Sequence, residues 1–96
     1  MDRKKIYRLE GRISKLRKKV GNIYSRELEN LACSLGRTRD KRGKEPTYIS
    51  TELSDARPVS IPNHPGSLNK FTAGNILDQF EQDLVMLKEK VDRGGG

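Results

Sequence analysis

Histidine and cysteine each occur once in the 96 residues, as His64 and Cys33, and tryptophan is absent. A single cysteine excludes an internal disulfide and every cysteine-rich zinc arrangement, and a single histidine excludes His-pair metal sites and two-histidine acid–base catalysis. No metal and no cofactor is expected. Aromatic residues make up 5% and hydrophobic residues 32% of the chain, which limits it to one small domain with a thin core. No apolar run approaches the roughly 18 residues of a membrane span, and the N-terminus lacks the apolar stretch of a secretory signal. The expectation is a soluble protein of the reducing cytoplasm with no membrane partner.

Charge is abundant and unevenly placed. Twenty Lys and Arg against thirteen Asp and Glu give +7, a balance that favours polyanionic partners, nucleic acid first among them. Residues 1–20 hold nine cations against Asp2 and Glu10, whereas residues 21–96 hold eleven against eleven. The first twenty residues therefore carry the whole excess.

From Arg3 to Val20 the apolar residues Ile6, Leu9, Ile13, Leu16 and Val20 step by three and four, the spacing of one helical stripe. Lys4, Lys5, Arg8, Arg12, Lys15, Arg17, Lys18 and Lys19 cover the remaining surface, and Gly21-Asn22 is a stop signal. A second helix is expected after a Ser25 cap, with Leu28, Leu31, Ala32 and Leu35 as its buried stripe and Gly36 as a left-handed C-cap. Cys33, beside that stripe, reads as a small buried hydrophobe. A strand follows from Arg37, with a turn around Gly43. Two more short strands are expected in Pro46–Thr51 and Arg57–Ile61, where Pro58 and Pro62 suggest edge positions or strand ends. Thr72 is positioned to cap a last helix with the stripe Ile76, Leu77, Phe80, Leu84, Leu87 and Val91, ending at the Gly94–Gly96 tail. The order indicates an α+β domain, a three-stranded antiparallel sheet with helices on one face. Its segments are a basic helix over 1–22, a domain over 23–93 and a tail over 94–96.

Two stretches, Arg42-Gly-Lys-Glu-Pro-Thr-Tyr48 and Arg57-Pro-Val-Ser-Ile-Pro-Asn-His-Pro-Gly66 followed by Leu68-Asn-Lys-Phe-Thr-Ala-Gly-Asn-Ile-Leu77, resemble the HicA (YcfA-like) toxins. The likeness covers roughly residues 25–84, and the second stretch is the more specific. It implies an α-β-β-β-α domain with a double-stranded-RNA-binding-like fold, here preceded by an extra basic helix. It also implies a toxin–antitoxin system in which a HicB-like antitoxin restrains a messenger-RNA endoribonuclease. Where the family's first hairpin carries Gly-Ser-His, this chain reads Gly43-Lys44-Glu45. A carboxylate thus stands at the family's catalytic position, and cleavage is left open.

Metal-independent RNA cleavage needs a base for the 2′-hydroxyl proton, an acid for the leaving oxygen and cations for the phosphorane. Glu45 with His64 is the one pair this chain offers; the plain alternatives are a solvated turn carboxylate and an imidazole bonded to its own loop. For phosphate contacts the candidates are Arg37, Arg39, Lys41, Arg42 and Lys44, with Lys70 before the last helix and Tyr48 as a stacking surface. Strand alternation would set Arg37, Arg39 and Lys41 on one face; an ordinary solvated face is the alternative. For the first helix three roles stay open: a nucleic-acid arm, a helix docking through its stripe on a partner or a second copy to form a homodimer, or a helix packed on its own domain. RNA-binding module and protein-interaction subunit therefore stand beside the toxin-like reading.

Overall fold

The computed structural model describes residues 2–40, 46–53 and 56–94. Helix α1 spans Arg3–Lys18, with the Asp2 carboxylate accepting the Lys5 N–H at 2.8 Å as its cap. A short 3-10 turn at Val20–Asn22 leads to α2, Ser25–Ser34. Strands β1 (Arg37–Asp40), β2 (Thr47–Ser50) and β3 (Val59–Ser60) follow, and α3 (Lys70–Gly94) closes the chain's order of elements.

The strands form an antiparallel sheet in the order β1-β2-β3, with Arg39 opposite Tyr48 and Tyr48 opposite Val59. The reversal into β1 depends on Gly36, whose φ of +90° is open to glycine and strained for any side chain. The architecture is α+β with three helices of two turns or more and one three-stranded sheet among the described residues.

The apolar stripe of α1 is not left for another molecule. Ile6, Leu9, Ile13 and Leu16 are buried within the chain, in the same core cluster as Leu28 and Leu31 of α2 and Phe80, Leu84 and Leu87 of α3. α1 packs chiefly on α3 and also touches α2. Residues 1–22 and 23–93, which charge alone would separate, thus share one core, and the stripe is unavailable for pairing with a second copy. Burying each such side chain is worth roughly 1.5–3 kcal/mol, against about 1 kcal/mol or less for an exposed ion pair. The stripe therefore sets where α1 sits.

Several local expectations need correction. Ser25 does not cap α2: it is the helix's first residue, and its buried hydroxyl donates to the Pro62 carbonyl at 2.5 Å while accepting the His64 N–H at 3.3 Å. That pair of bonds fastens the loop after β3 to the start of α2. Asn69, not Thr72, caps α3, its side-chain oxygen accepting the Phe71 N–H at 2.8 Å; an Asx cap is at least as good as a threonine and comes earlier in the chain. Cys33 is exposed, on the side of α2 turned away from its stripe.

Candidate nucleic-acid interface

The sheet does not present the cationic surface expected of it. Arg37 is 1% exposed and sits on the side of the sheet covered by helices. Its Nε and one terminal nitrogen donate to the two Asp83 oxygens at 2.6 and 2.8 Å, and its other terminal nitrogen donates to the carbonyls of Tyr48 and Arg57 at 2.9 Å each. A guanidinium satisfied in this way is a structural clamp between β1, β2 and α3, so Arg37 is withdrawn as a phosphate contact. Tyr48, at 5% exposure, belongs to the core and offers no stacking surface. Burial raises its phenol above the usual pKa near 10, with Glu29 adding to the shift and Arg39 opposing it.

Arg39 is exposed at the rim of the helix-covered side, opposite Tyr48 in the register. The opposite side of the sheet carries Thr38, Asp40, Thr47, Ile49 and Ser60, and no cation among the described residues. Lys41, Arg42, Lys44 and Glu45 lie outside the described residues. Lys70 is exposed at the first turn of α3, its ammonium 5.5 Å from the centre of the Phe71 ring. His64 is exposed and its Nδ1 accepts the Gly66 N–H at 3.1 Å, the loop-bonded arrangement that needs no catalytic role. Among the described residues no group of three or more metal-ligating side chains occurs. No described helix is long and apolar enough to cross a membrane.

Where the cations do gather is on α1, and helical geometry explains how. Each residue advances about 100° around the axis, so the residues just before and just after each buried position form two flanking rows. The row after the stripe is Arg3, Tyr7, Glu10, Ser14 and Arg17, facing α3. Its charges are consumed there: Arg3 pairs with Asp92 at 2.6 Å, Lys88 with Glu10 at 2.7 Å, and Arg17 with Glu81 at 2.9 Å and with Asp78. The two carboxylates, Glu81 foremost, raise the Arg17 pKa further above its ordinary value.

The row before the stripe is Lys5, Arg8, Arg12, Lys15 and Lys19, facing α2. Among the described residues only Lys19 of this row is ion-paired, to Glu27 at 2.5 Å. Among the described residues Lys5, Arg8, Arg12 and Lys15 make no ion pair: of the α2 residues that line the seam, Ser34 and Asn30 are uncharged, and the carboxylate of Glu27 is taken by Lys19. Two open hollows lie along the α1–α2 seam. One of about 340 Å³ is lined by Asp2, Lys4, Lys5, Arg8, Arg12 and Ser34 among others. The other, about 320 Å³, is lined by Arg12, Lys15, Leu16, Lys19, Glu27 and Asn30. Arg12 is common to both, and its guanidinium donates to the Ser34 hydroxyl at 2.8 Å, which in turn donates to the Asn30 carbonyl at 3.0 Å.

Taking the eight α1 cations as a single surface hides this row. Its signal is in the sequence: a cation immediately precedes every member of the apolar stripe, at positions 5, 8, 12, 15 and 19, whereas the following positions are mixed. Comparison with family models, with curated proteins and with solved structures finds no match to this chain.

Proposed function

We propose that this chain is an RNA-binding protein whose phosphate-contacting surface is the α2-facing row of α1. The observation that carries the reading is the contrast between the two rows: cations facing α3 are neutralised internally, whereas Lys5, Arg8, Arg12 and Lys15 stand side by side with no ion pair among the described residues. Unpaired like charges held close on a rigid helix repel one another, and a polyanion relieves that repulsion while releasing its own counterions. The exposed position of Arg39 adds a contact outside the row, and Lys70 another.

The finer reading of the fold as a double-stranded-RNA-binding-like α-β-β-β-α domain is part of the same proposal. The order α2-β1-β2-β3-α3 supports it, as does the likeness of residues 25–84 to HicA toxins. It makes messenger RNA the first RNA to test, a HicB-like antitoxin the first protein partner, and the cytoplasm the place where both are met. Catalysis by Glu45 and His64 is tested by incubating RNA with the wild type, Glu45→Ala and Glu45→His; activity confined to the His variant identifies a disarmed site.

The test of RNA binding is a titration of fluorescent RNA, at several salt concentrations, with the wild type and with the variant carrying Gln at 5, 8, 12 and 15. The wild type is expected to show a log–log salt slope of about −3 to −4, near 0.9 per neutralised phosphate for a duplex. The variant is expected to lose most of that slope with a thermal melt no lower than the wild type's, since four mutually repelling charges are gone. Equal slopes for the two proteins overturn the reading.

A further inference from the structure

We infer that the RNA form this surface selects is the double helix, with the α1 row lying along phosphates and Asn30 of α2 reaching the sugar edge; the inference rests on the RNA-binding reading above. Three features of the seam lead there.

The first is rigidity and length. Lys5 to Lys15 covers about 15 Å along the axis at 1.5 Å per residue, and Ile6, Leu9, Ile13 and Leu16 fix that axis in the core. B-form DNA carries about nine phosphates over such a length, at one per roughly 1.7 Å with both strands counted, and in any double helix those on one side form a fixed array. A fixed row of cations matches a fixed row of anions without the ordering entropy that a single strand loses on being straightened.

The second is the absence of a stacking platform. Non-specific single-strand binding combines a basic groove with aromatic side chains on which bases stack. Neither hollow is lined by an aromatic residue. Tyr7 lies on the other row, towards α3, Tyr48 and Phe80 are buried, and the exposed Tyr24 and Phe71 line neither hollow. The surface has the electrostatic half of a single-strand site and lacks the other half.

The third is the opposite wall. Ser34 and Asn30 face the cations across the seam, and each plays a different part. The Ser34 hydroxyl holds the Arg12 guanidinium and is itself bonded to the Asn30 carbonyl, so it positions Arg12. The exposed Asn30 side chain makes no bond within the described structure. Its amide offers both a donor and an acceptor, the complement of a 2′-hydroxyl, which lines the wide minor groove of A-form RNA and is missing from DNA.

The experiment compares one sequence as RNA duplex, DNA duplex and single-stranded RNA, using the intact protein with Asn30→Ala and Arg57→Gln as companions. Arg57 is exposed and lines neither hollow, so Arg57→Gln shows what losing one charge away from the seam does, and it is expected to leave the ratio of RNA-duplex to DNA-duplex affinity unchanged. The expected order is RNA duplex, then DNA duplex, then single strand. Affinity for the RNA duplex should fall on the order of 100-fold between about 50 and 200 mM salt. Asn30→Ala is expected to weaken RNA-duplex binding about fivefold, the scale of one net hydrogen bond, with DNA-duplex binding and the salt slope unchanged. Single-stranded RNA bound as tightly as the duplex, or no difference between the RNA and DNA duplexes, overturns this inference and leaves RNA binding standing. Failure to bind any of the three, with binding of an acidic peptide instead, overturns the RNA-binding reading itself.

Discussion

Arg37 and Asp83, 46 positions apart, meet in a two-pronged ion pair whose side chains are 0% and 1% exposed. Two charges removed from water repay their desolvation only while both remain and every other donor is bonded, as the Tyr48 and Arg57 carbonyls ensure here. Removing one partner is therefore expected to cost about 3–5 kcal/mol. For a domain whose whole stability is of order 5–15 kcal/mol, that is a large share. Urea denaturation of Asp83→Leu, Arg37→Met and the double variant checks this: the double variant should lose clearly less than the sum of the singles. Strict additivity would show that the pair is not coupled.

The attachment of α1 gives a prediction in which two effects compete. Ile13→Ala empties part of the core and is expected to cost about 2–5 kcal/mol. Arg17→Ala breaks bonds to Glu81 and Asp78, yet all three side chains are at least 33% exposed, so about 1 kcal/mol or less is expected. Equal losses in thermal and urea melts would mean that the charged seam holds the helix as strongly as the stripe does.

Deleting residues 2–19 should not yield a folded domain lacking an arm. Four core residues go with the segment and leave Phe80, Leu84 and Leu87 uncovered. Circular dichroism of the truncated chain is expected to show loss of cooperative unfolding, and a native-like melt would contradict the packing. Binding by α1 is consequently tested by substitution within its basic row, which leaves the stripe intact.

Tyr48 makes alkaline stability a readout of the core. Burial, with Glu29 assisting, raises the phenol's pKa in the folded state, so the folded protein holds that proton to higher pH than the unfolded chain. The contribution is complete below about pH 10 and is lost as pH rises through the folded-state value. Denaturation midpoints of the wild type should fall from about pH 10 upward, and those of Tyr48→Phe should fall less. Parallel curves would place the phenol in water.

Much of this fold can be read from apolar spacing. The stripes of α1, α2 and α3 and the turn at Gly36 follow from periodicities of three and four and from one glycine, and the structure places them as expected. What the stripe of α1 rests on could not be read, because an apolar face is complementary to any other. Arg37 was misplaced because strand alternation says which residues share a side and not which side the helices cover. A cue for it lies elsewhere: Asp83 falls between Phe80 and Leu84, inside the apolar stripe of α3. A carboxylate there requires a buried cation, and Arg37 supplies it. The basic row was legible in principle, but only once α3 was known to neutralise its counterpart.

The joining of α1 to α3 has a consequence for how the protein is made. Arg3 and Asp92 are brought together across 89 positions, so the first helix leaves the ribosome long before the surface that will cover it. Contacts of such separation form late and slow the search for the native state. During that interval the nascent α1 displays its greasy side and its positive charge together, and the crowded, RNA-rich exit of the ribosome is the first environment it meets.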